Sequence, residues 1–272
     1  MDLSLTEQQE MLKQGVEDFR TRNATKEAIL EAEETPSGYS PEMWQTAAEI
    51  GWLSMVTPEA YGGFGGSLTD AAVVFEALGH GPVPGPFFSS GVLAPLLINA
   101  AGSDSQKEQY LPALAAGQNV CAFALTEPEW GWGWDAVQTT ATPSGDGYTI
   151  TGTKLFVFDA YSADYLIVIA RNGDEIVPAI VDTKADGVSI RRMKGFLTSE
   201  CVVKLENVKV SADAVLSGDR NVLHDAMLRA TPILCAQLVG GAQEAYQMSV
   251  EYSRARKQFG QPIGRFQHVQ NH

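Results

Sequence analysis

At 272 residues, 44% of them hydrophobic, the chain can bury a sizeable core in one large domain or two smaller ones. Its 33 acidic against 19 basic residues leave a formal charge of −14, which speaks against a nucleic-acid partner because phosphate binding needs concentrated Lys and Arg. Cys121, Cys201 and Cys235 are sparse and unpaired in spacing, the polar opening MDLSLTEQQEMLKQ is no signal peptide, and the apolar runs are too short for a membrane span. The expectation is a soluble, cytoplasmic protein without a membrane partner.

Residues 1–118 carry helical spacing. SLTEQQEMLKQGVEDFRTRN offers Ser4 or Thr6 as a cap and repeats apolar residues at Leu5, Met11, Leu12, Val16 and Phe19. SPEMWQTAAEIGWLSM places Pro41 at a helix start and Gly51 at its stop. LTDAAVVFEALGHG and SDSQKEQYLPALAAG read as two more helices, with TPEAYGGFGGS and GPVPGPF as loops between.

Across residues 119–220 the period becomes two. VCAFAL, VQTTAT, YTITGTK, YLIVIA, VPAIVDT, VSIRRM and SECVVKLENVKV are short and rich in β-formers, with SGDG and NGDE as turns. They predict an antiparallel barrel or sandwich. Residues 221–272 return to helical spacing, with Pro232 either kinking one helix or opening a second, and the last residues read as the first turns of a further helix. The spacing therefore predicts an α+β protein: a helical domain, a middle β domain, and the first part of a C-terminal helical bundle that normally continues.

GGFGGS, Gly62 to Ser67, has the glycines of a phosphate cradle but lies between helices, so a structural turn is the expected reading. His80, His224, His268 and His272 share no ligand spacing, and no metal site is expected. YSRARKQFGQPIGRFQ sets Arg254, Arg256, Lys257 and Arg265 beside Phe259 and Gln267. Such a set suits a diphosphate and an adenine, though a solvated basic helix face accounts for it equally well.

PEAYGGFGG, YLPALAAGQ, FALTEPEWGWGWDA, GDGYTITGTKLFVFDAYSADYLIVIAR and YSRARKQFGQPIGRFQ stand in an order that resembles the acyl-CoA dehydrogenase family over essentially the whole chain. The resemblance implies FAD, a CoA thioester substrate, an electron-transferring flavoprotein as oxidant, and usually a tetramer. In that family a glutamate removes the α-proton of the thioester while the β-hydrogen leaves as hydride to the flavin, giving a 2-enoyl-CoA. By the same resemblance, Arg256, Gln258, Phe259 and Gln267 match positions that meet the diphosphate and adenine end of a neighbouring subunit's FAD. Leu125 and Thr126 match the strand end beside the flavin ring, and Phe156 the residue that stacks on it.

The pattern also departs from the family. Where Thr-Glu-Pro is usually followed by Gly-Ala-Gly-Ser-Asp, this chain has EWGWGW before Asp135, so the diphosphate-binding serine has become Gly133 or Trp134. The usual Trp-Ile-Thr-Asn is FVFD, which puts Phe156 for the tryptophan and Phe158 for a hydroxyl donor. Most members carry the base beyond the residues present here; a minority place it where this chain has Leu228, so no catalytic residue can be named. Some bacterial members, notably in steroid side-chain degradation, are α2β2 heterotetramers with FAD between unlike chains. The sequence suits such a subunit, its own pocket filled by Trp130, Trp132 and Trp134, or those rings packing on a partner or on one face of a local strand. Two alternatives stay open: a self-sufficient homomeric dehydrogenase, and a non-catalytic module that keeps the fold to bind an acyl-CoA or a partner enzyme.

Overall fold

The computed structural model describes residues 4–129, 133–193 and 199–271. Six helices come first: α1 Glu7–Asn23, α2 Lys26–Glu34, α3 Pro41–Ile50, α4 Leu68–Gly79, α5 Ala94–Ala101 and α6 Asp104–Ala115. All of these but α5 start at side chains that satisfy orphan N–H groups. Thr6 with Gln9, Ser67 with Asp70, and Ser103 with Gln106 each close a reciprocal capping box. Ser40 caps α3, Pro41 opens it, and Gly51 stops it in left-handed backbone at φ 95°. A π-helical turn, Ser89–Leu93, leads into α5. Helix α2, too short and charged to stand out by period, is held by the Thr25 cap.

The middle region is one seven-stranded mixed sheet: β1 Cys121–Ala124, β2 Thr140–Ser144, β3 Gly147–Phe158, β4 Tyr165–Asn172, β5 Glu175–Asp182, β6 Val188–Arg192 and β7 Glu200–Val210. Strands β2 and β3, β3 and β7, β6 and β7, and β4 and β5 pair antiparallel, as the alternation predicts. The expected purely antiparallel sheet needs correction at β4, which lies parallel to β1 from Cys121↔Tyr165 to Ala124↔Val168 and parallel to β2 at Thr140↔Arg171. The connection from β1 to β4 carries the whole β2–β3 hairpin, a crossover long enough for parallel pairing that local alternation cannot reveal.

Helix α7, Arg220–Ala255, runs unbroken for 36 residues, roughly 54 Å, with Asp219 as its cap. Pro232 neither stops it nor opens a second helix, because it sits on an exposed face where the freed carbonyl can meet water. One side of α7, through Leu223, Ala226, Ala230 and Ile233, is buried, whereas Leu228, Leu238, Val239, Tyr246 and Tyr252 are exposed. A hairpin of β8 Lys257–Gln258 and β9 Gln261–Pro262 follows, then the short α8 Gln267–Gln270.

Helices α4 and α7 cross at glycine. A Cβ on Gly240 would lie 1.9 Å from the Glu76 carbonyl oxygen, and one on Gly79 2.0 Å from that of Gln237. Gly240→Ala is therefore expected to cost about 1–3 kcal/mol. Gly15→Ala, in a helix where nothing lies within 4 Å, should be neutral or stabilise by up to about 1 kcal/mol. Thermal unfolding of both variants checks the pair.

Candidate functional site

The glycine loop can be settled first. The N–H groups of Gly62, Gly63, Phe64 and Gly65 donate to the carbonyls of Glu59, Pro58, Ser54 and Thr57 at 2.9–3.3 Å. A Cβ on Gly63 would meet the Thr57 carbonyl oxygen at 1.8 Å. These donors are used up inside the protein, so the loop is a tight turn and not a phosphate cradle. Among the described residues no group of three or more His, Cys, Asp or Glu could hold a metal, and no helix is long and apolar enough to cross a membrane.

The sequence-selected residues fall into two sets. Leu125, Thr126 and Phe156 lie together where β1 runs out beside β3, since Leu155 N–H donates to the Thr126 carbonyl at 2.9 Å. Arg256, Gln258, Phe259 and Gln267 lie together at the far end of α7, all exposed. Among the described residues no hydrogen bond, ion pair or ring contact joins the two sets.

A group that sequence reasoning passed over fixes the first set. Lys154, fully buried on β3, donates to Glu127 at 2.6 Å and to the Leu125 carbonyl at 3.1 Å. Glu127 also accepts from the N–H groups of Gln138 at 2.6 Å and Thr139 at 3.0 Å. The carboxylate of the Thr-Glu-Pro stretch thus turns inward and ties both ends of the following loop to β3. Burial pushes the Lys154 ammonium down to about 8, with the Glu127 contact opposing. Burial also raises Glu127, but its bonds to Lys154, Thr139 and Gln138 outweigh this and hold it below the ordinary carboxylate value of 4.5. In sequence the only signal was a lysine alternating with apolar residues on a strand.

Strain marks both sets. Phe156 has φ 52° and Phe259 φ 51°, left-handed backbone that costs a bulky residue roughly 1–2 kcal/mol. Phe156 follows a shift in the β3–β7 register. Phe259 and Gly260, at φ 51° and 80°, form the two-residue turn of the β8–β9 hairpin, a geometry that favours Asn-Gly. Yet the Phe259 ring is 93% exposed, touching only the edge of Phe266 at 6.1 Å between centroids.

The tryptophans are accounted for only in part. Trp130 and Trp132 lie outside the described residues. Trp134, 6% exposed, opens a single 3₁₀ turn rather than continuing a strand. It lines a cleft of about 440 Å³ with Tyr148, Arg171, Pro178, Leu216 and Arg220. Its neighbour Asp135 accepts from Arg220 at 2.6 Å, joining this loop to the start of α7.

Whether these residues fit FAD depends on which end of it is considered. The hairpin presents a guanidinium, two amides and an uncovered ring, a donor set that suits a diphosphate and an adenine. On the middle-domain side, where the resemblance puts a diphosphate-binding serine at Gly133 or Trp134, the Trp134 indole is buried. Phe158, 52% exposed, stands where a donor would face the flavin ring. Phe158 thus places a ring where the resembling family has a hydroxyl, while the donor set around the hairpin suits a diphosphate.

Three family models match the chain: the acyl-CoA dehydrogenase N-terminal domain over residues 6–118, the middle domain over 122–208 and the C-terminal domain over 221–272. The 3-(aryl)acrylate reductase of Clostridium sporogenes is 33% identical over 97% of this chain and 74% of its own length. In the ChsE4–ChsE5 complex of Mycobacterium tuberculosis one chain superposes with TM-score 0.90 at 28% identity, over 100% of this chain and 73% of that one. An acyl-CoA dehydrogenase of Bacillus anthracis, solved with FAD, gives TM-score 0.88 at 28% identity over 98% of this chain and 48% of its own.

Lys154→Met, which strands Glu127 inside the protein, is expected to cost about 3–5 kcal/mol. Adding Glu127→Gln should recover most of it. Because Glu127 titrates below its unfolded value, the unfolded chain takes up the proton first as pH falls below about 4.5. The advantage of the wild type over the double variant should then shrink between about pH 5 and pH 3. Urea unfolding at several pH values measures both effects.

Proposed function

Because this chain belongs to the acyl-CoA dehydrogenase family, we propose that it is one subunit of a heteromeric dehydrogenase that acts on a CoA thioester. In this reading it supplies Arg256, Gln258, Phe259 and Gln267 to an FAD held largely by an unlike subunit. Leu125, Thr126 and Phe156 remain as the wall of its own reduced pocket. The observation that carries the reading is Phe259: a ring held in costly backbone geometry and left 93% exposed beside an exposed arginine. Geometry of that kind persists where a ligand or partner uses it.

The chemistry divides accordingly. FAD, when bound, would take the hydride in the family reaction. The Arg256 guanidinium would pair with the diphosphate, fixing the cofactor's position without touching the reacting carbons. No side chain among residues 1–272 is assigned the proton abstraction. Likeness to one chain of a two-component complex supports an unlike partner. Relatives named as a probable acyl-CoA dehydrogenase and an acryloyl-CoA reductase support the reaction class. A bulky acyl group, such as a steroid side chain, and an electron-transferring flavoprotein as oxidant complete the proposal by analogy with heteromeric members.

The test is flavin colour. The chain alone should purify colourless, and yellow protein should appear only on co-expression with its genomic neighbour. Arg256→Ala in that complex should weaken FAD binding by about tenfold or more, the worth of a charged hydrogen bond. Unchanged FAD affinity would remove the assignment, and a yellow chain alone would favour a self-sufficient homomer. Trp134→Ser with Phe158→Thr, which returns two hydroxyls to the wall, should give the lone chain measurable FAD affinity by fluorescence titration.

A further inference from the structure

Between Lys154 and Val157 the register of β3 against β7 shifts, and both Phe156 and Asp159 adopt left-handed backbone. Two such residues within four persist only if the surroundings over-determine them. Here much of that work converges on one carboxylate. Asp159 accepts hydrogen bonds from Ser89 Oγ, on the π-helical turn of the N-terminal domain, and from Ser199 Oγ, just before β7. Its N–H donates to the Ser199 carbonyl at 3.0 Å, and its own carbonyl accepts the Ser162 N–H and hydroxyl at 3.1 Å each. The next residue of the π-helical turn, Ser90, accepts the Cys121 N–H at 3.1 Å at the start of β1. Two adjacent serines therefore hold the two strands that carry Leu125, Thr126 and Phe156. Local widening of a helix by one residue often marks a working site.

We propose that Asp159 is a positioning residue: with Ser89 and Ser199 it clamps the N-terminal domain to the middle domain and holds the Phe156–Phe158 wall in place with no cofactor bound. The inference rests on the reading that this chain's own pocket does not hold FAD, and it explains how a flavin-free subunit keeps the shape of a flavoprotein. The residue itself is a departure, since the resembling family usually has Asn here. Ser89 and Ser199 donate to different oxygens of the carboxylate, and an amide would put a donor nitrogen in place of one of them. Burial raises the Asp159 pKa, and the two serine hydroxyls counter this by bonding to the charged form. The chain keeps this carboxyl in spite of the cost of burying it.

Hydrogen–deuterium exchange on the chain alone, with and without added FAD, tests the clamp. Residues 88–93 and 155–162 should be protected in the wild type and unaffected by FAD. Asp159→Ala should speed exchange in both segments together by roughly tenfold, about the worth of one hydrogen bond of 1.4 kcal/mol, and FAD should not restore it. Ser89→Ala, a smaller change that keeps the rest of the cluster, should loosen the same two segments to a lesser degree, and it carries the test if Asp159→Ala does not fold. Gln106→Ala removes a different junction, the bonds to the Asp213 and Val215 carbonyls at 2.7 and 3.0 Å, and should leave both segments protected. Retained protection at 88–93 in Asp159→Ala and Ser89→Ala would overturn the clamp. Loosening by Gln106→Ala of the same size would overturn it too, by showing general destabilisation. FAD protection of 155–162 in the wild type would instead sink the reading of an empty pocket, and with it the claim that the clamp acts alone.

Discussion

The buried contact between Lys154 and Glu127 is the constraint on which the working edge of the middle domain depends. An ammonium with no solvent exposure needs its charge matched and hydrogen-bond partners, and the chain supplies one carboxylate and one backbone carbonyl. In doing so it folds the Thr-Glu-Pro stretch against β3 and brings Leu125 and Thr126 beside Phe156. The same carboxylate takes the N–H groups of Gln138 and Thr139, so the loop that carries Trp134 has both its ends pinned. Whatever that loop contains, its anchor points do not move. This is how a stretch so unlike the family pattern can sit in an otherwise ordinary fold.

The three regions share one apolar core and are also tied by specific polar contacts. Asp159 ties the π-helical turn to β3 and β7, and Gln106 ties α6 to the segment that leads into α7. The Asp135–Arg220 pair ties the tryptophan loop to the base of α7, though both groups are largely exposed and the pair adds little stability. The glycine crossing with α4 then fixes the direction in which α7 leaves. The hairpin's position thus depends on contacts along a long helix as far as Gly240, as well as on the Ile263 N–H bond to the Arg256 carbonyl at 2.8 Å.

Much of this was legible in the sequence, because the signals were local. Thr6, Ser40, Pro41 and Gly51 mark helix ends through hydrogen bonds that span three or four residues. The glycine turn was readable from its flanking helices. What was not legible was long-range. Nothing near Lys154 in the chain announces a partner 27 positions earlier, and the parallel pairing of β1 with β4 depends on a crossover that no window of alternation contains. Pro232 was ambiguous because its effect turns on which face of the helix meets solvent. The hairpin residues lie apart in space from Leu125, Thr126 and Phe156, and nothing in the sequence pattern signals that Phe156 and Phe259 share left-handed backbone. The alternate spacing of tryptophans suggested a strand face; at Trp134 the chain forms a 3₁₀ turn instead, since the Gly133 before it and the link to α7 after it bend the backbone.

The bare side of α7 has a colloidal consequence. Leu228, Leu238, Val239, Tyr246 and Tyr252 form an oily strip on a molecule whose formal charge is −14. At low ionic strength mutual repulsion keeps such strips apart. Added electrolyte shortens the reach of that repulsion to within a few ångströms while leaving the attraction between hydrocarbon surfaces intact. Wherever that strip is left uncovered, added electrolyte is therefore expected to favour the meeting of two such surfaces.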